Sequence, residues 1–352
     1  MKRIKLNRIF SLLLAVFMIL SLAACAGTPS ESTSETDDTP DTPKTGMIAV
    51  LPQPVLTVAT SKNPNLNIAL DLTEEWKNAI GRDSLVQGCI VVRTEFLNAH
   101  KAEVLKFLEE YKASIDFINQ NPTEASQMVV ELGIYQGAAA VAAKAIPSCN
   151  IVYMDGQNMK EALSGYLSTM FDFKAESVGG ALPKDDFYFI DTQDSATPAE
   201  FDTELPVRIS VLNGTTGFGI AKLMDDHNDG NAALNYSFAV ETDASLINAG
   251  LIKGDIDIAA LPTNAASTLY NKTQGDVTVL ALNTLGVLYV VENGNTVTKL
   301  ADLEGKTVYC PAQNPAFIFE AICKASGVNV TIDTTYAQPA ALMSAIAADN
   351  NQ

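Results

Sequence analysis

The sequence predicts an α/β protein with mainly parallel sheets flanked by helices. From Leu205 onward, short β-rich runs alternate with helical patterns, and residues 46–190 carry the same kind of alternation. Between these two stretches, "DTQDSATPAEFDTE" (Asp191–Glu204) has the composition of a linker.

The opening residues lie outside that pattern. Lys2, Arg3, Lys5 and Arg8 precede the uncharged apolar run Ile9–Leu22, which ends in Leu22-Ala23-Ala24-Cys25. A charged start, an apolar run and small residues at its end form an export signal. The run is shorter than the ~20 residues of a bilayer span, which argues against a transmembrane anchor. "LAAC" resembles the bacterial lipoprotein signal, in which the cysteine becomes the lipidated first residue, so residues 1–24 are read as signal and Cys25 as the lipidation site. Residues 25–43, rich in Ser, Thr, Pro and Asp, bury too little apolar surface to offset their ordering entropy and read as a disordered tether.

The formal net charge is −18, or −22 once the four basic residues of segment 1–24 are set aside. Such a surface repels phosphate backbones and anionic headgroups, which excludes nucleic acid as a partner. Cys89, Cys149, Cys310 and Cys323 match neither a zinc site nor a CxxC pair and are expected as buried free thiols. His100 and His227 are the only histidines and are expected to be solvated. A histidine metal site or triad has little to work with, so no metal, no cofactor and no catalytic residue are expected.

Taken in order, "GMIAVLPQPVLTVAT" reads as a buried strand and turn, "LDLTEEWKNAIG" as a strand-to-helix passage, and "GCIVVRTEF" as a strand. Val104, Phe107, Leu108, Tyr111, Ile115 and Ile118 recur at helical spacing. The next helix has Asn121 as cap, Pro122 at its start and Gly133 at its stop. Strand Val207–Leu212 precedes a Gly-rich turn and a helix near Phe218–Asp226; "YSFAVE" precedes helix Ala244–Leu251; "DIDIAAL" precedes a helix around Ala265–Tyr270. "TVLALNTLGVLYVVENG" is an apolar double strand. "KTVYC" then leads to helix Ala316–Ala325, with Asn314 as N-cap and Pro315 at the first helical position. The last helix is Ala340–Ala348. Helix, strand, Leu-Pro and helix recur when "QPAALMSAIAADNNQ" is placed before "KTGMIAVLPQPVLTVATS", as in "DASLINAGLIKGDIDIAALPTNAAS", which predicts two halves of one fold in circularly permuted order.

In that order the chain resembles the solute-binding lipoproteins of ABC transporters, in the group that binds aliphatic sulfonates, taurine, nitrate or thiamine-pyrimidine precursors. The stretches that carry the resemblance include "DIDIAALPTNAAS", "LADLEGKTVYCPAQNPA", "MIAVLPQPVLT", "VVRTEFLNAHKAEVLKFLEEYKASIDFINQNPTEA" and "SVGGALPKDDFYF". The resemblance implies a two-lobed periplasmic-binding-protein-like fold (type II) with the ligand between the lobes. One lobe then combines 90–190 with 205–290, the other 44–89 with 291–352, and "GVLYVVENG" and "GCIVVRTEF" are the two hinge strands. It also implies a monomer tethered by lipid to the outer face of the cell membrane or in the periplasm, which passes a small polar or anionic solute to an ABC permease and its ATPase. A solute-sensing domain and a thiamine-pyrimidine-synthase-like enzyme are the alternatives. The enzyme needs a reactive histidine and a cofactor lysine, and neither His100 nor His227 falls in an expected cleft turn.

Ligands of open α/β sheets bind outside the carboxyl ends of the strands. The candidate turns are Asn213, Thr215, Thr216 and Gly217, then Thr263 and Asn264, Gln313 and Asn314, and Gln53 and Pro54. The glycine spacing of Asn213–Gly217 fits neither a P-loop nor a dinucleotide fingerprint, so a tight turn and a ligand contact both remain open there. Since none of these turns contains Lys or Arg, an anion would rely on helix N-termini and neutral donors, and a polar heterocycle fits as well. Trp76, the only tryptophan, is either core or a stacking platform.

Overall fold

The computed structural model describes residues 46–191 and 200–349. The export signal, Cys25, the tether, Lys44, Gln352 and most of the 191–204 linker lie outside the described residues. The strands are β1 (Ile48–Pro52), β2 (Leu66–Asp71), β3 (Val86–Arg93), β4 (Ile151–Asp155), β5 (Pro206–Leu212), β6 (Asn235–Glu241), β7 (Ile258–Pro262), β8 (Val277–Leu285), β9 (Leu288–Asn293), β10 (Thr307–Tyr309) and β11 (Thr331–Asp333). They form a five-stranded sheet in the order β11-β10-β1-β9-β2 and a six-stranded sheet in the order β4-β8-β3-β7-β5-β6. Helices flank both, so the protein is mixed α/β, as the alternation predicts.

The expectation of mainly parallel sheets is corrected. The pairs β5–β6, β5–β7, β1–β10 and β10–β11 are parallel, whereas β1–β9, β2–β9, β3–β7, β3–β8 and β4–β8 are antiparallel. Parallel neighbours need a long crossover. β9 follows β8 after two residues, Gly286 and Val287, but lies in the other sheet, antiparallel to both its neighbours there, β1 and β2. The two halves of "TVLALNTLGVLYVVENG" therefore belong to different sheets. "GCIVVRTEF" is not a passage between sheets either: β3 pairs on both sides within the six-stranded sheet, and helix Leu72–Ile80 with residues 81–85 makes the second passage.

Alternation of side chains along the strands sorts the core into layers. Ile48, Val50, Leu70, Val290 and Val308 from one sheet join Cys89, Val91, Leu261, Val279 and Leu282 from the other in one apolar cluster, with Trp76, Leu163, Tyr166 and Phe319 from helices. Ile90, Val92, Ile209, Val211, Ile258 and Leu280 face the opposite way and pack on helix Lys101–Gln120 through Val104, Phe107, Tyr111 and Ile115, the spacing read in the sequence. Ala49, Leu51 and Val291 pack on helices Val55–Lys62 and Pro339–Ala348. In β3 the register shifts on either side of Gly88, so Val86 and Cys89 share a face although they are three positions apart.

Several ends differ in detail from the sequence reading. Helix Pro122–Glu131 starts at its proline as expected, but the Asn121 carboxamide donates backward to Phe117 O at 3.1 Å and does not cap. Helix Asn314–Ala325 begins at Asn314, with Gln313 as its flanking residue. Both histidines are half-buried against aromatic rings: His100 lies 4.8 Å from Phe96, and His227 lies 6.1 Å from Tyr236 and 5.6 Å from Phe238. Cys89, Cys149, Cys310 and Cys323 are buried and free, and burial raises every one of their pKa values.

Met47 and Asp349 meet in the five-stranded half. Met47 N donates to Asp349 Oδ2 at 2.7 Å, Asn63 Nδ2 donates to Asp349 O at 3.4 Å, and Asn293 N donates to Met47 O at 3.0 Å. On the other half, Lys101 pairs with Asp191 at 3.1 Å and Asp202 N donates to Glu103 Oε1 at 2.7 Å, so both flanks of the 191–204 segment rest on helix Lys101–Gln120.

The six-stranded sheet is tied at one end by the buried Asp257. Arg208 donates to it from Nε at 2.8 Å and from its backbone N at 3.0 Å, and Arg93 Nη2 donates at 3.0 Å. Burial alone would raise the Asp257 pKa, but these hydrogen bonds outweigh it and hold the carboxyl below its ordinary value. Because the folded pKa is depressed, the contribution is complete above about pH 4 and is lost as pH falls through the folded value. Arg208 is 40% exposed and Arg93 remains, so Arg208→Leu is expected to cost about 2 kcal/mol at pH 7, less than the ~3–5 kcal/mol of a fully buried pair broken on one side. Urea denaturation should show this gap shrinking between pH 7 and pH 3; an equal gap at both would rule out the ionised pair as its cause.

Candidate functional site

Strands β5, β6 and β7 all run toward the same end of the six-stranded sheet, and helices Ala244–Lys253 and Thr263–Thr273 start just beyond β6 and β7. In the five-stranded sheet, helix Asn314–Ala325 starts beyond β10. The first residues of these helices meet around a cavity of about 390 Å³ that is lined from both sheets' helices by Ser245, Asn248, Asn264, Thr268, Gln313, Asn314 and Phe317 among others. This volume lies within the ~300–1,000 Å³ range of small-molecule pockets.

Asn264 sits at the floor and is 7% exposed. Its Nδ2 donates to Ser177 O at 2.8 Å, and its Oδ1 accepts from Tyr166 Oη at 2.7 Å. Asn314 Oδ1 lies 3.2 Å from the same phenol oxygen, so Tyr166, from helix Gly156–Phe173, bridges the two halves. Burial raises the Tyr166 pKa, which keeps the phenol protonated at any physiological pH. On the rim, Asp243 accepts from Ser245 N at 2.8 Å; that backbone bond, then the Ser245 side chain, lower its pKa, so it stays ionised. Glu176 also lines the rim, and among the described residues no Lys, Arg or His does.

Of the residues expected at the site, Asn264, Gln313 and Asn314 share this cavity, while Thr263 lies just beneath it. Thr263 is fully buried and its Oγ1 donates to Val86 O at 3.3 Å. The turn Asn213, Thr215, Thr216 and Gly217 and the pair Gln53 and Pro54 do not line it. Gln53 is buried: its N donates to Val287 O at 2.9 Å, and its Oε1 accepts from Thr57 Oγ1 at 2.7 Å. In the glycine turn, Asn213 N donates to Glu241 O at 2.9 Å, Gly214 has φ 91° with its N donating to Ile134 O at 2.8 Å, and Thr216 O accepts from Asn283 Nδ2 at 3.0 Å. A Cβ on Gly217 would stand 2.3 Å from Leu212 O. Both glycines therefore have structural reasons to be there. Trp76 is core, fully buried with its ring 5.6 Å from Tyr166.

Tyr166, Asn248, Thr268 and Phe317 were not anticipated. Tyr166 reads as one more apolar position of a helical stripe, and no local pattern distinguishes it. Asp243 could have been found, because "TDAS" before an apolar run is a helix start with an aspartate cap. Among the described residues no group of His, Cys, Asp and Glu is arranged to hold a metal ion, and no helix is long and apolar enough to cross a membrane. No protein-family model matches the chain, and no curated protein matches it in sequence.

Gln313 stands out in its backbone. Its φ of 65° with ψ of −127° is a conformation that a side chain disfavours, and it falls at the mouth of the cavity. Gln313→Gly is expected to raise unfolding stability by about 1 kcal/mol by relieving that strain. Chemical denaturation would check it; a loss of stability would mean that the Gln313 side chain contributes more than its backbone costs.

Proposed function

We propose that the protein is the solute-binding component of an ABC importer, a two-lobed protein of the lipoprotein group it resembles, written in permuted order. It captures a small polar solute between its halves and delivers it to a permease. The observation that supports this is the cavity at which helix starts from two separate sheets converge, with Asn264 on one side and Gln313 and Asn314 on the other. Switch points at strand ends are where α/β proteins bind small ligands, and closure of two halves on a ligand is a recognised hinge motion. The buried polar floor, in which Tyr166 is held between two carboxamides, gives the site fixed hydrogen-bonding groups. "LAAC" and the tether composition support a lipid anchor at Cys25 on the outer membrane face.

A thermal-shift screen of small polar solutes tests the reading. A solute present at a hundred times its Kd should stabilise the native state by about 2.7 kcal/mol and raise the melting temperature accordingly. Asn314→Leu, with its native fold checked by circular dichroism, should abolish the shift; a shift that survives this change would place the ligand elsewhere. For the anchor, Cys25→Ala should release the protein from membranes, and acyl labelling that persists in the variant would overturn lipidation.

A further inference from the structure

Helix Gly156–Phe173 packs on strands β3, β4 and β8 of the six-stranded sheet, yet one stripe along it is spent on the other half. Gly165, Tyr166, Thr169 and Phe173 follow one another at three- and four-residue spacing and so share a face. Gly165 is the notch in which Arg82 lies: a Cβ there would stand 2.5 Å from Arg82 Nη1, and Arg82 Nε donates to Thr169 Oγ1 at 3.0 Å. Arg82 belongs to residues 81–85, one of the two passages between the sheets. Tyr166 Oη reaches Asn314 Oδ1 at 3.2 Å, at the start of helix Asn314–Ala325. At the far end two lysine–ring contacts cross reciprocally. Lys174 Nζ lies 4.4 Å from the centroid of the Phe317 ring, and Lys324 Nζ lies 5.2 Å from that of Phe173, so each half offers the other one ammonium and one ring.

The second passage, Gly286 and Val287, has as little freedom. A Cβ on Gly286 would overlap Thr73 Oγ1 and stand 3.3 Å from Leu85 Cδ2, so the two passages pack on each other. Gly286 O accepts from Asn150 Nδ2, and Val287 O accepts from Gln53 N at 2.9 Å. Behind the stripe the two sheets share one apolar cluster, with Trp76 and Tyr166 in it. On the opposite side, where helices Val55–Lys62 and Ala139–Ala145 touch, the apolar clusters of the two halves are separate. The junction is therefore fastened along one side. The cavity adjoins that side, with Phe317 as part of its wall, and its rim residues Glu176, Asp243 and Ser245 are exposed.

We propose that helix Gly156–Phe173 is a clamp that fixes the two halves in one arrangement, so that the cavity is preformed and is filled through its rim without a closing movement. Every contact in the clamp joins protein to protein and holds with or without a solute. The inference rests on the solute-binding reading for what the cavity is for, and it replaces closure on the ligand with a preformed site. Affinity in such a site is not reduced by a population of open molecules that cannot bind.

The test uses the full-length protein with no solute added. Trp76, the only tryptophan, is fully buried on the clamped side with its ring 5.6 Å from Tyr166, so acrylamide reaches it only when the halves part. Quenching of its fluorescence should be weak in the parent. Arg82, Lys174 and Lys324 are exposed, so their truncation should leave the fold intact, as circular dichroism and a cooperative urea transition would confirm. Each of Arg82→Ala, Lys174→Ala and Lys324→Ala should raise the open share about two- to fivefold. The triple variant should raise it roughly tenfold or more, read as a several-fold rise in quenching and a larger radius of gyration in X-ray scattering. Should the triple variant fail to fold, the three single variants carry the test. Lys144→Ala, on helix Ala139–Ala145 at the unclamped side, should change neither reading. Strong quenching in the parent, clamp variants that match the parent, or an equal rise in Lys144→Ala would overturn the clamp and leave the solute-binding reading standing. A solute screen without a hit would overturn that reading and leave the clamp, which is measured without solute.

Discussion

The apolar cluster shared by the two sheets is the constraint on which everything else depends. One face of each sheet empties into it, and Trp76, Leu163, Tyr166 and Phe319 fill the space between them. Each fully buried large side chain contributes roughly 1.5–3 kcal/mol, so neither sheet could keep this face covered without the other. The cavity lies where this packing gives way to polar groups. Tyr166 stands on that boundary, with its ring against Trp76 and its hydroxyl between Asn264 and Asn314. The polar floor therefore inherits its rigidity from the apolar packing behind it.

Much of the fold was legible because it rests on periodicity and punctuation. Helix Lys101–Gln120 buries the stripe its spacing announces, and Pro122, Pro315 and Gly133 sit at or beside the ends they mark. Strand direction was less legible. Composition does not encode which neighbour a strand will take, and β9 is antiparallel to β1 and β2, strands that precede it by more than 200 positions in the chain. β3 misled for the same reason: a strand whose stretch Gly88–Val92 is apolar and buried on both faces looks alike whether it joins two sheets or lies in the middle of one.

At the site, position was more legible than role. The rule that strand ends host ligands led to Asn264, Gln313 and Asn314. It led equally to Gln53 and to the Asn213–Gly217 turn, whose polar groups are partly spent on their own backbone surroundings. The difference lies in partners contributed from far along the chain: Val287 for Gln53, Ile134 for Gly214, Ser177 and Tyr166 for Asn264. These pairings arise only after the sheets assemble, so no window of sequence contains them.

β1 has a mechanical consequence. It lies inside its sheet, parallel to β10 on one side and antiparallel to β9 on the other, and the residue just before it is clasped by Asp349. A pull on residue 46 directed along β1 would load the hydrogen bonds to both neighbours together, in shear, and could not peel them off one at a time. The strand that carries such a load is also the one between β10, which leads to the cavity, and β9, which leads back to the other sheet.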